Sequence, residues 1–215
     1  MSVGNERGLL SDIEILSRVV ADDPYCIFIS PLIHPETQLG PASLDLHLGA
    51  ELRTTRITAT THIDLTRDKK VIKQQLAEYI ETKTVGPDDA LVLHPHEFAL
   101  ACTVEFFHLP LDIAGRLEGR SSLGRLGLQV HATAGFVDPG FKGTLTFELI
   151  NAGSLPLKLR AGLRIGQICF FRTNEVQVGY MDKRGSKYGG NLAVGGSEIY
   201  EDPEIPDPEV GFGAG

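Results

Sequence analysis

The sequence predicts a mainly β fold, a barrel or jelly roll with a few short helices, built as one domain. Three observations predict it. From residue 90 onward, short apolar stretches follow one another, broken by Gly, Pro, Asn and Ser turns. Only two windows carry helical periodicity. The chain of 215 residues is long enough for one sizeable core, and one domain is the default at that length.

The elements follow in order. Ser11-Asp12-Ile13-Glu14 fits a capping box, and Ile13, Leu16, Val19 and Val20 form an apolar stripe, so a helix begins there. Pro31, Pro35, Gly40 and Pro41 punctuate a turn-rich stretch. Ser43-Leu44-Asp45-Leu46-His47-Leu48 alternates polar and apolar residues as a half-buried strand does. Lys69 to Thr82 is the second helical window, with Val71, Ile72, Leu76 and Ile80 at helical spacing. Strands are expected at Leu91–Leu93, Phe98–Phe107, Leu145–Ile150, Leu155–Arg160 and Ile165–Phe171. Asn151-Ala152-Gly153-Ser154 and Arg160-Ala161-Gly162 read as turns between them. Gly185 to Gly196 is rich in Gly and polar residues. Residues 1–200 read as one domain. Residues 201–215 read as an acidic tail with three prolines and three glycines, mobile or crossing to a partner. No internal repeat is present.

Composition narrows the function classes. A net charge of −8 lacks the basic face that phosphate neutralisation demands of a nucleic-acid binder. It leaves room for a small phosphorylated ligand held by local cations. Cys26, Cys102 and Cys169 are far apart, odd in number and set among apolar residues, so they read as structural thiols in a reducing compartment. No apolar run is long enough to span a bilayer and no signal-peptide core follows Met1. The expectation is a soluble cytoplasmic protein with no nucleic-acid or membrane partner.

Familiar catalytic templates fail. His34-Pro35-Glu36 matches half of the zinc deaminase signature, but its P-C-x-x-C half is absent. His94 and His96 precede a strand and read as turn residues rather than metal ligands. Gly119-Arg120-Ser121-Ser122-Leu123-Gly124-Arg125 lacks the Lys-Ser/Thr ending of a P-loop. Its spacing also rules out a G-x-S-x-G elbow.

On its own terms, that turn brackets two serines with two arginines between glycines. It can present amides, hydroxyls and guanidinium forks to an anion; a solvated basic turn is the alternative. His131-Ala132-Thr133-Ala134-Gly135 is small enough for close backbone approach. Val137-Asp138-Pro139-Gly140 is a turn signal led by a carboxylate, which can also be a simple turn cap. In Leu145-Thr146-Phe147-Glu148-Leu149, period two places Leu145, Phe147 and Leu149 on one face and Thr146, Glu148 and Ile150 on the other. A glutamate in so apolar a strand is costly unless paired or facing a cavity. Burial there would favour the proton-carrying form used in proton transfer. The alternative is an exposed strand face with a surface salt bridge.

Gly119 to Leu128, His131 to Gly143, Thr146-Phe147-Glu148-Leu149 and Arg164-Ile165-Gly166-Gln167 together resemble the dCTP deaminase family of the dCTP deaminase/dUTPase superfamily. Pro41 to Gly49 is similar to that family's N-terminal motif, and Ser186-Lys187-Tyr188-Gly189-Gly190 to its C-terminal phosphate-binding segment. The match spans roughly residues 9 to 192. The resemblance implies a distorted jelly-roll/β-barrel of the dUTPase-like type, assembled as a homotrimer with sites between subunits. It implies Mg²⁺ carried by the nucleotide triphosphate and no zinc. Glu148 matches the catalytic general acid/base. Ser121, Arg125 and the backbone of Ala134 match groups that position the attacking water and the cytosine amino group. Arg120, Ser121, Ser122, Leu123, Gly124 and Arg125 match the nucleotide-binding run. Asp138 matches the deoxyribose contact, and Thr146, Phe147 and Glu148 the strand edge beside the base. Gln167, Tyr180 and Lys187 match phosphate-side contacts. Asn191 stands where many family members carry glutamine. The implied ligands are dCTP and dUTP, with dTTP as a candidate feedback inhibitor.

The resemblance implies hydrolytic deamination of dCTP to dUTP and ammonia, which feeds dUMP and dTTP synthesis. Gly135 stands where some strictly deaminating members carry histidine, so a bifunctional form that goes on to dUMP and pyrophosphate stays open. A plain dUTPase would share Asp138 and Gln167, but Glu148 and the paired serines resemble the deaminating branch. A nucleotide-sensing trimeric scaffold is the non-enzymatic alternative.

Overall fold

The computed structural model describes residues 8–56, 61–86, 88–183 and 186–207. In chain order its elements are β1 (Gly8–Leu9), α1 (Asp12–Val19), β2 (Phe28–Ser30), α2 (Pro35–Gln38), β3 (Leu44–Thr55), α3 (Lys69–Tyr79), β4 (Ile80–Thr84), β5 (Leu91–Leu93), β6 (Phe98–His108), β7 (Ile113–Gly119), α4 (Ser121–Gly124), β8 (Leu128–Gln129), β9 (Phe136–Val137), β10 (Lys142–Asn151), β11 (Leu157–Leu159) and β12 (Arg164–Arg172). Single 3₁₀ turns follow at Tyr180–Asp182 and Ile199–Glu201.

The fold is mainly β, as expected. One antiparallel sheet runs β8-β10-β6-β3-β12-β7-β9, with β1 on β12, β2 on β6 and β4 on β3; β5 and β11 pair separately. The sheet curls because β3 serves two sets of neighbours. Its first half pairs with β12 and its second half with β6 and β4. The change of partners comes with an irregular register between Leu48 and Leu52, the usual device for turning a strand from one layer to another. Gly49 lies there, and a Cβ on it would come 2.8 Å from the Cys102 carbonyl oxygen.

The curled sheet encloses one core of alternating inward residues, including Leu44, Leu46 and Leu48 of β3, Phe107 of β6, Leu145, Phe147 and Leu149 of β10, and Ile168 and Phe170 of β12. Its polar exceptions are satisfied. The fully buried Glu105 carboxylate accepts from the His47 amide at 3.1 Å and the Gln38 side chain at 3.0 Å, and its Oε1 lies 2.5 Å from His47 Nδ1. Asn151 donates to the carbonyls of Leu93 and Leu155 and accepts from the Gly153 amide, which fixes the turn after β10.

Several expectations are corrected. The capping box on α1 is present, but three residues of its stripe face outward: Ile13 is 77% exposed, Leu16 47% and Val20 70%, while Ile15 is 1% exposed and, with the half-buried Val19, anchors the helix. The neighbouring strands claim the Ile15 side, which the apolar spacing alone did not single out. The second helix stops at Tyr79, because the β-branched run from Ile80 to Thr84 pairs with Glu51–Thr55 of β3. Within the tail, Pro206 accepts from the Lys69 amide at 2.9 Å and Lys69 pairs with Asp207, so residues 201–207 lie against α3. Residues 208–215 fall outside the described residues, as do residues 1–7 at the other end.

Candidate active site

Strand β7 ends at Gly119 and hands the chain to the short turn α4, with Arg120 at its N-cap position. The Leu123 and Gly124 amides close the turn onto the Arg120 carbonyl at 3.0 and 2.9 Å. Ser121, Ser122, Gly124 and Arg125 are exposed, and the Arg125 side chain has no partner among the described residues. Arg120, by contrast, is held from behind. Its guanidinium donates to the Arg164 carbonyl at 3.0 Å and lies 3.3 Å from Asp45 Oδ2. The same carboxylate oxygen meets Arg164 Nη1 at 3.2 Å. Just before β3, the Ser43 hydroxyl donates to Gln167 Oε1 at 3.0 Å, and Gln167 Nε2 donates to the Gly119 carbonyl at 3.2 Å. Gln167, matched above to a phosphate contact, thus spends its amide on bracing the turn.

Glu148 lies on the outer face of β10, half-buried, as period two requires. Its amide donates to the Val130 carbonyl at 2.9 Å. Its carboxylate Oε2 accepts from the Ala132 and Thr133 amides at 2.7 and 3.4 Å. Of the surroundings the sequence left open, the side chain has hydrogen-bonding partners and, among the described residues, no surface salt bridge; it faces the 131–135 loop, and Ala134 is exposed on that loop. Gly135 secures the loop to β7: its carbonyl accepts from the Leu117 amide at 2.7 Å. A Cβ there would stand 2.9 Å from the Leu117 carbonyl oxygen, so a side chain needs the backbone to shift. Thr146 is exposed beside Glu148. Phe147 is fully buried in the core, its ring packed under Gly166, so only its backbone can edge a ligand.

The third group gathers around the Asp138 turn. The Phe141 amide donates to the Asp138 carbonyl at 3.2 Å, and Gly140 has a φ of +78° that an L side chain resists. The Asp138 side chain is half-buried and unpartnered among the described residues. Tyr180 donates its amide to the Pro139 carbonyl at 2.8 Å and sets its ring 5.6 Å from that of Phe141. Its hydroxyl accepts from the Tyr188 amide at 3.2 Å. Asn191 lies against β10, its carbonyl accepting from Thr144 at 3.0 Å. Lys187 pairs with Asp202 at 2.5 Å. That hydrogen bond holds the ammonium above its ordinary value of 10.5.

The chain therefore builds three groups: the Arg120–Arg125 turn, Glu148 with its loop, and Asp138 with Tyr180 and the 186–191 segment. No hydrogen bond or ion pair among the described residues joins Glu148 to Ser121 or Arg125. Sequence reasoning quoted Ser43 and Asp45 within a motif but gave them no task. The signal was available: they sit two apart on an alternating strand, hence on one face. The arginine that completes the pairing, Arg164, is distant in sequence. Burial pushes the thiols of Cys26, Cys102 and Cys169 up, so none is a poised nucleophile. His94 and His96 belong to a turn closed by Glu97. Among the described residues no group of three or more His, Cys, Asp or Glu is placed to hold a metal ion.

Residues 9–173 match the family model described as dCTP deaminase-like. The chain belongs to the dCTP deaminase-like family. A family relative from Methanobrevibacter smithii, named dCTP deaminase, dUMP-forming, is 41% identical over 181 residues, 83% of this chain and 90% of that one. Another of the same name, from Parafrankia sp., is 40% identical over 94% of this chain and 99% of its own. The dCTP deaminase of Natronomonas pharaonis is 40% identical over 92% and 97%. In three dimensions, the crystal structure of 2'-deoxycytidine 5'-triphosphate deaminase from Agrobacterium tumefaciens superposes with a TM-score of 0.57 at 23% identity, over 77% of this chain and about half, 48%, of that one. This last likeness is one of fold.

Proposed function

We propose that the protein is a dCTP deaminase that continues to dUMP. The observation that carries this reading is Glu148: in a chain of the dCTP deaminase-like family, its carboxylate sits on an outward strand face against the loop that bears Ala134. Cytosine C4 is a poor electrophile until N3 is protonated. Glu148 gives N3 its proton, takes one from the water that attacks C4, and passes a proton to the departing ammonia. Water and dCTP become dUTP and ammonia. Ser121, Arg125 and the Ala134 backbone position the water and the amino group, with Ser121 and Arg125 supplied by a neighbouring copy in a homotrimer. Asp138 meets the deoxyribose hydroxyl. Arg120, Arg125 and Lys187 receive the triphosphate, which brings its own Mg²⁺. Thr146 and the Phe147 backbone edge the base. dTTP, which shares the deoxyribose and triphosphate, is a candidate inhibitor at the same groups.

Continuation to dUMP is supported by the dUMP-forming names of the relatives and by Gly135, whose close packing on Leu117 leaves no room for a side chain at the loop. A second water then cleaves the α–β phosphate bond of dUTP and releases pyrophosphate.

Incubation with dCTP and Mg²⁺, with ammonia, dUTP, dUMP and pyrophosphate quantified, tests both parts. Ammonia with dUMP and pyrophosphate is expected. Ammonia with dUTP alone restricts the protein to deamination. Hydrolysis of dUTP without turnover of dCTP overturns the reading. Glu148→Gln is expected to lower ammonia release by at least about 100-fold, the scale of a lost general acid/base, while nucleotide binding persists in calorimetry.

A further inference from the structure

A cavity of about 350 Å³ lies between β3 and the C-terminal segment, lined among others by Arg53, Asn191, Gly196, Ser197, Glu198 and Tyr200. Glu148 and the α4 turn are not part of it. Such a volume suits a small ligand. Its charge is unbalanced in a specific way. Arg53 projects from β3 and is only partly exposed. Its Nε is buried and has no hydrogen-bond partner, and among the described residues no carboxylate pairs with its guanidinium.

The carboxylates that could have paired are differently placed. Glu51, on the same strand, accepts from the Val194 amide at 3.1 Å. Glu198 lines the cavity without reaching Arg53. A part-buried guanidinium without an anion carries a desolvation cost that an arriving anion offsets. The roof is suited to that arrival. Gly196 packs so closely that a Cβ there would lie 2.7 Å from Arg53 Nη1; Gly195, Gly196 and Ser197 line the cavity on that side. Lys73 stands 5.2 Å over the Tyr200 ring, adding a second cation beside the cavity in a chain whose total is −8.

We propose that this cavity is a phosphate-binding pocket, with Arg53 as its principal cation and the Gly195–Ser197 segment as its cover. The guanidinium fork matches the paired oxygens of a phosphoryl group. The phosphate belongs either to the tail of a bound nucleotide or to free pyrophosphate. Deaminase chemistry is not needed for the inference, and none of the residues given a role in the proposed deamination lines the cavity.

Inorganic pyrophosphate is the probe. Calorimetric titration of the full chain is expected to give binding that Arg53→Gln weakens by at least about ten-fold, with Arg53→Lys between the two. If Arg53→Gln also raises the KM for dCTP, the pocket takes the nucleotide's phosphate tail. If KM is unchanged while pyrophosphate binding falls, it takes free phosphate. Should Arg53→Gln not fold, Ser197→Glu sets a carboxylate on the rim from a loop and is expected to give the same loss. Binding of pyrophosphate at wild-type strength by a folded variant of either kind, or no binding by the wild type, overturns the pocket. These readouts are independent of ammonia release, so failure of the pocket and failure of the deaminase reading are told apart.

Discussion

At the scale of single residues, Asp45 does for the proposed site what no exposed side chain can. Its one carboxylate oxygen meets Arg120 at 3.3 Å and Arg164 at 3.2 Å. Without it, Arg120 keeps only the Arg164 carbonyl to fix its direction. Asp45→Asn retains the shape and removes the charge. Loss of such a part-exposed pairing is worth about 1 kcal/mol, which converts to a rise in the KM for dCTP of about five-fold. The kcat is expected to change little, because Asp45 touches neither Glu148 nor its loop. Steady-state kinetics with dCTP checks this; a fall in kcat at constant KM would show that Arg120 serves the chemistry and not the binding.

At the scale of elements, α1 gives the clearest case of a local signal with a measurable consequence. Glu14 is held below its ordinary value of 4.5, first by the Ser11 amide, then by the Ser11 hydroxyl. A lowered value in the folded chain means that the contribution is complete above 4.5 and lost as pH falls through the folded value. Amide exchange within α1 is therefore expected to quicken as pH is lowered through that range, relative to β6 and β10 once the intrinsic pH dependence is divided out. Ser11→Ala should weaken the effect without removing it, because the backbone amide remains, and cost about 1 kcal/mol at neutral pH, checked by denaturant unfolding.

The same helix shows why some elements were legible in the sequence and others were not. Capping chemistry is local, so Ser11 and Glu14 marked the start of α1. Which face it buries is decided by β-strands elsewhere, so Ile15 escaped notice while Ile13 and Val20 misled. Apolar stretches between turns located β5 and β6, and period two found the start of β3 and sorted both faces of β10, because that strand has one dry side. Strand β7, with Ala114, Gly115 and Arg116 in its middle, has no such alternation and was missed. At the site, Glu148 and the Arg120–Arg125 turn stood out by type and spacing. Arg53 did not, since an arginine on a strand gains meaning only from having no carboxylate paired with it among the described residues, which is a fact of three dimensions.

For the whole molecule, within one copy no hydrogen bond or ion pair among the described residues joins Glu148 to Ser121 or Arg125. Completion by a neighbour predicts a sedimentation mass near three times 23.3 kDa, about 70 kDa, in keeping with closed cyclic assembly. It predicts more. Glu148→Gln and Arg125→Gln chains, each inactive alone, should regain a fraction of deaminase activity when unfolded together and refolded as mixed trimers. Mixed assemblies that stay inactive would place the complete site within one chain.

The position of β12 between β3 and β7, with β1 laid on it as well, bears on how the chain is made. Until residue 172 has left the ribosome, the edges of β3 and β7 that face β12 stay open, and β1 has nothing to join, although β3 already has β4 and β6 and β7 has β9. Pairings this distant close slowly, and open strand edges invite association between nascent chains. One layer can thus pair during synthesis while closure of the sheet waits for its last strand, and the yield in a cell depends on how well those waiting edges are shielded during translation.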